Sequence, residues 1–74
     1  VNLEIEALMF GREASATKTG TLVRKRAGLS QRELARAANI SLPTVKAYEQ
    51  GRRRPSGAAG VRYGHLLQEL LSRG

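Results

Sequence analysis

The sequence predicts an all-α fold, a compact bundle of four to five helices forming a single domain over residues 1–74. Two observations carry this expectation. Between Gly28 and Gly51 lie two short segments with helical apolar spacing, each preceded by a serine suited to capping and each closed by a residue that tolerates a left-handed backbone. Further on, Tyr63, Leu66, Leu67, Leu70 and Leu71 fall at i, i+3, i+4, i+7 and i+8, the spacing of one broad helical stripe. At 74 residues the chain can enclose one modest core, with little room for an enzyme cleft.

Taken in order, "NLEIEALMFG" reads as a short helix. Asn2 caps it, Glu4 and Glu6 suit its positive end, and Gly11 is its stop. The alternation of Leu3, Ile5 and Ala7 would also suit a strand. The polar "REASATKTG" reads as a linker or the frayed start of the next helix, adding little to a core. Residues 1–16 are thus expected to be an N-terminal extension. Thr17 to Ala27 is the next predicted helix, with Gly28 as its stop and Gly20 weakening its middle by roughly 1 kcal/mol relative to alanine.

Ser30 then caps a helix in which Glu33, three residues on, completes a capping box. Leu34, Ala35 and Ala38 share one face, and Asn39 suits a sharp turn. Ser41 caps the following helix, and Pro43 lies in its first turn, where a missing N–H costs nothing. Val45 and Tyr48 face inward with Ile40 beneath them, and Gly51 ends the helix. "RRRPSG" is a loop, so residues 17–55 comprise the first helix, the paired helices and a basic loop. Ser56 is expected to cap a C-terminal helix within residues 56–74, loosened in its first half by Gly57, Gly60 and Gly64.

Thirteen Lys and Arg against six acidic residues give a net charge of +7. That points to a polyanionic partner, nucleic acid before an acidic membrane surface or an acidic protein. The absence of cysteine excludes a disulfide scaffold and a thiolate metal site. One histidine, His65, makes neither a metal site nor a catalytic dyad. No paired carboxylates, nucleophile with base, or phosphate-cradling loop is visible, so neither an enzyme, a cofactor nor a small-molecule ligand is expected. No apolar run approaches the ~20 residues of a membrane span, and "LEIEALMF" lacks the basic flank of a signal peptide. A cytoplasmic protein is the resulting expectation, associated with the nucleoid if its polyanionic partner is DNA.

Two short helices joined by a three- to four-residue turn form a helix-turn-helix. Here the similarity becomes specific. "GLSQRELARAANISLPTVKAYEQGRRRP", Gly28 to Pro55, resembles the lambda-repressor and Cro-like (XRE) family of DNA-binding domains. The shared pattern is "GLSQ-x-x-LA", a small apolar pair before Asn39, then "V-x-x-YE-x-G-x-x-x-P". It covers about the middle third of the chain and extends more loosely through the flanking helices. The chain departs from the family pattern at Asn39, where glycine is commonest, at Gly20, where an apolar side chain is usual, and in the glycine-rich entry to the last helix.

The resemblance implies that the second motif helix lies in the major groove of double-stranded DNA. It would present Ser41, Leu42, Pro43, Thr44, Lys46, Ala47 and Gln50. Lys46 can reach the O6 and N7 acceptors of guanine, Leu42, Pro43 and Ala47 can meet a thymine methyl, and Thr44 can do either. By the same resemblance Gln31 contacts a phosphate and braces the recognition helix. Arg52, Arg53 and Arg54 would run beside the phosphate backbone, with Pro55 stiffening the exit, and Arg24 and Glu49 would pair to lock two helices together. The expected protein is a sequence-specific transcriptional regulator of a phage, plasmid or bacterial kind. It would be a dimeric repressor on a palindromic operator, joined through the leucine stripe of the last helix or through the N-terminal segment; the competing expectation is that the last helix completes the monomer core, with Leu3, Ile5 and Leu8 folded back over it. The alternative is an antitoxin or protein-interaction adaptor carrying the same domain.

Overall fold

A computed structural model describes residues 2–73, which form five helices: α1 (Leu3–Ala16), α2 (Thr19–Arg26), α3 (Gln31–Ala38), α4 (Leu42–Gln50) and α5 (Gly57–Ser72). The described residues contain no strand, so the alternation at Leu3, Ile5 and Ala7 belongs to a helix. Asn2 caps α1 by accepting from the Ile5 amide at 3.0 Å.

Contrary to expectation, α1 does not stop at Gly11. It runs to Ala16, and Ala7, Gly11, Ala14 and Ser15 form its buried face. Gly11 serves a helix crossing instead: a Cβ there would lie 3.2 Å from the Gly64 Cα, and a Cβ on Gly64 would collide with the Ala7 carbonyl. The two backbones touch directly, which only small residues permit. Gly60 completes the contact beside Leu8 and Pro55. These pairings, Ala7 with Gly64 and Gly11 with Gly60, make α1 and α5 antiparallel. The segment expected to be a linker therefore contributes Ala14 and Ser15 to the interior.

Lys18 enters the left-handed region (φ 66°), and α2 begins at Thr19 rather than Thr17. Gly20 consequently lies in the first turn, not the middle. It is buried, and a Cβ there would strike the Tyr63 hydroxyl. The aromatic ring on α5 thus occupies space that a side chain on α2 would otherwise fill.

Helices α2, α3 and α4 end alike. Gly28 (φ 76°), Asn39 (φ 58°) and Gly51 (φ 73°) turn the chain, and the following amide bonds back five residues, as Leu29 to Arg24, Ile40 to Ala35 and Arg52 to Ala47. These are Schellman turns, which satisfy carbonyls left over at a helix end. At the starts, Ser30 and Glu33 form the capping box (3.0 and 2.8 Å), and Ser41 accepts from the Thr44 amide at 3.2 Å. Ser56 occupies the cap position of α5, but its side chain makes no capping bond.

The core gathers Ala14, Val23, Leu34, Ala35, Val45, Tyr48, Tyr63 and Leu67 from all five helices. The Tyr48 and Tyr63 rings pack with centroids 4.9 Å apart, tilted by 58°. Most of the α5 stripe thus completes the monomer core and does not stand free as a dimer face. Tyr63 and Leu67 are fully buried, Leu66 and Leu70 pack at the cluster's edge, and only Leu71 is left 47% exposed. The exposed apolar side chains lie instead mostly on α1, at Leu3, Ile5 and Met9.

Candidate nucleic-acid interface

The centre of the helix-turn-helix is a buried ion pair. Arg24 Nε donates to Glu49 Oε2 at 2.7 Å and Nη2 donates to Oε1 at 3.1 Å, while Nη1 donates to the Leu29 carbonyl at 2.8 Å. Gln31 adds a third donor to the same carboxylate, its Nε2 lying 2.9 Å from Oε1. One carboxylate on α4 is thereby tied to α2 and to the first residue of α3. Burial pushes the Glu49 carboxyl up, but the bonds from Arg24 and Gln31 and the guanidinium charge outweigh it and hold it below the ordinary carboxylate value.

Gln31 thus braces the recognition helix through Glu49, and its amide nitrogen is engaged within the fold. Tyr63 lies close by. Burial, and then the negative charge of Glu49, push its hydroxyl up to about 12. That hydroxyl is buried without a hydrogen-bond partner among the described residues.

On α4, Val45 and Tyr48 point into the core, so Pro43, Lys46, Ala47 and Gln50 fall at i, i+3, i+4 and i+7 on the opposite, outer face. Pro43, Lys46 and Gln50 are exposed and Ala47 is half-buried. Ser41 and Thr44 lie at the helix start, where their hydroxyls share a 2.6 Å hydrogen bond and serve the cap. Leu42 departs from expectation: it is half-buried and packs against the core cluster, because the first turn of α4 leans on the fold. Arg52, Arg53 and Arg54 follow directly, all exposed, and Pro55 after them is buried.

The residues that hold this segment in place were not legible in the sequence. Ser15 Oγ donates to the Tyr48 carbonyl at 2.6 Å, and Lys18 Nζ donates to the Glu49 carbonyl at 3.1 Å. Arg12 Nε donates to the Pro55 carbonyl at 2.7 Å. The end of α1 and the turn after it thus clasp the last turn of α4 and the far end of the basic loop. These partners are 31 to 43 residues apart in the chain, and no local pattern marks such contacts. Arg12 and Lys18 read from sequence only as two more positive charges.

Among the described residues no cluster of three or more potential metal-ligating side chains forms, and no helix is long and apolar enough to cross a membrane. A capped helix pair, locked by a buried ion pair and followed by three exposed arginines, is the architecture of a helix-turn-helix DNA-binding regulator. The chain belongs to the helix-turn-helix family of the lambda-repressor-like (XRE) type, whose family model matches residues 22–63, more than half of its length. No match to a curated protein or to a solved structure was found. The clasp residues Arg12, Ser15 and Lys18 all lie outside the matched segment.

Proposed function

We propose that this protein is a sequence-specific transcriptional repressor that occupies a palindromic operator as a homodimer, with residues 1–74 acting as one DNA-binding domain. The observation that carries this reading is the outer face of α4, where Pro43, Lys46, Ala47 and Gln50 form a single row that continues into Arg52, Arg53 and Arg54.

In this reading α4 lies in the major groove. Lys46 donates to the acceptor edge of a guanine, and Pro43 and Ala47 meet a thymine methyl. Gln50, one turn on, reaches a further base edge. Ser41, Leu42 and Thr44 approach the groove wall at the helix start, and Gln31 meets a phosphate through the amide oxygen left free by its bond to Glu49. Arg52, Arg53 and Arg54 neutralise phosphates and fix the register of the helix. A dimer so placed represses by occupying DNA that the transcription machinery needs.

Selection of bound duplexes from a random pool tests this reading. The proposal expects an inverted repeat with half-site centres about one helical turn, ~34 Å, apart. Recovery of unrelated sequences bound with equal affinity would contradict it.

A further inference from the structure

The outer face of α1 is chemically unlike the rest of the molecule. Of the six glutamates, Glu33 serves the capping box, Glu49 is buried against Arg24, and Glu69 pairs with Arg73. The other three, Glu4, Glu6 and Glu13, all lie exposed on α1 and make no side-chain hydrogen bond or ion pair among the described residues. At the helical spacing of 100° per residue, Ile5 and Met9 form an i, i+4 apolar row on the face opposite Ala7 and Gly11. Glu6 and Glu13 run beside that row as an acidic edge. Ile5 is 53% and Met9 62% exposed, and Leu3 at the helix start is 67% exposed. On a chain of net charge +7 this is a concentrated acidic and apolar surface.

Its complement lies on the same molecule. Between the ends of α2 and α5 is a half-open groove of about 770 Å³, lined by Val23, Ala27, Leu29, Leu70 and Leu71, with Arg26 and the exposed Arg73–Glu69 pair at its rim. Leu71 is the exposed remainder of the α5 stripe. Because α1 and α5 are antiparallel, the start of α1 and the end of α5 lie toward the same end of the bundle. The first turns of α1, with Ile5 and Glu6, thus lie toward the groove's end of the bundle, and neither surface nor groove includes a residue of α4 or of the basic loop.

We infer that the outer face of α1 docks into the α2–α5 groove of a second copy of this chain, reciprocally about a two-fold axis. Ile5 and Met9 cover the groove's leucines, and Glu6 and Glu13 meet Arg26 and Arg73, the latter turning from its exposed bond with Glu69. The occupant is a second copy because apolar side chains meet apolar ones, and the acidic edge of α1 faces a rim that is net positive, two arginines against Glu69. Made once, a contact between two different patches leads to rings or open filaments; made twice about a two-fold axis, it closes as a dimer. The inference deepens the proposed dimer by naming its interface, and rests on that proposal only for its role on an operator.

The test is sedimentation equilibrium of the free protein, with paired charge reversals. The parent is expected to dimerise. Glu6→Arg with Glu13→Arg, and separately Arg26→Glu with Arg73→Glu, should each raise the dissociation constant by about tenfold or more. All four side chains are exposed, so each variant should keep its fold, checked by its helical circular dichroism. An equimolar mixture of the two variants should regain parental association, since each then offers the charge the other lacks. Ile5→Ser with Met9→Ser, which leaves the charge unchanged, should also dissociate the dimer yet bind an isolated half-site with parental affinity. A monomeric parent, unaltered association in any of these variants, or a mixture that fails to associate would overturn the interface. A parent monomeric in solution that still fills both operator halves cooperatively would overturn it while leaving the repressor reading intact.

Discussion

Arg24 on α2 and Glu49 near the end of α4 meet in a two-pronged ion pair of 2.7 and 3.1 Å, with side chains only 10% and 5% exposed. Their bond fixes α4 against the rest of the fold. Glu49→Ala leaves the guanidinium buried without its partner and is expected to cost about 3–5 kcal/mol in stability. Replacing both residues by apolar side chains of similar volume should recover most of that loss. Chemical denaturation reads both values, and a Glu49→Ala protein that unfolds with the parent would contradict the pairing.

The same carboxylate sets an acid limit. Its folded-state value is depressed below the ordinary 4.5, so the stability it contributes is present above that value and is lost as pH falls through the folded one. Unfolding free energy should therefore decline more steeply below about pH 4.5 in the parent than in Glu49→Gln. Glu33, also depressed by its bonds to Ser30, is present in both proteins and cancels in the comparison. Equal slopes would contradict the expectation.

Gly20 and Tyr63 are coupled by size. Gly20→Ala drives a Cβ into the Tyr63 hydroxyl and should destabilise by about 1–3 kcal/mol. Tyr63→Phe removes a buried hydroxyl that lacks a partner and should stabilise by about 1 kcal/mol. With the hydroxyl gone, the new Cβ meets the Tyr63 Cζ position and Leu67 Cδ1 at 3.4 Å each, which is ordinary contact. The double variant should therefore exceed the parent in stability. Strict additivity of the two changes would show that the ring does not occupy the space above residue 20.

Much of the helix-turn-helix could be read from the chain because its signals are local. Ser30 with Glu33, Asn39, Ser41 and Gly51 each act within a few residues, and the structure places each where those signals predict. Arg24 and Glu49 lie 25 residues apart and were legible only through the family resemblance. The flanks were harder. Gly11 carries the same local signature as a helix stop, and only its contact with Gly64 shows that it permits a close crossing. The α5 stripe was too wide to assign without knowing that α1 covers part of the same core. Nothing local to Arg12, Ser15 or Lys18 marks the carbonyls they hold.

That clasp has a measurable consequence. Arg52→Ala with Arg54→Ala should weaken binding to all sequences alike and flatten the dependence of log K on log salt by roughly 0.9 per lost phosphate contact. Arg12→Ala frees the Pro55 carbonyl at the end of that loop and should also weaken binding. Its effect should shrink when Arg52 and Arg54 are already alanine, because it acts through their placement. Full additivity would instead make Arg12 an independent contributor.

If the outer face of α4 reads bases, Lys46 in the middle of that face carries the most direct test. Affinity of the parent and of Lys46→Ala should be compared on the selected operator and on duplexes changed one base pair at a time. Lys46→Ala should lose about 1–3 kcal/mol of discrimination at one base pair in each half-site, while its preferences elsewhere stay parental. A uniform loss on every duplex, or no change in discrimination at any position, would contradict it.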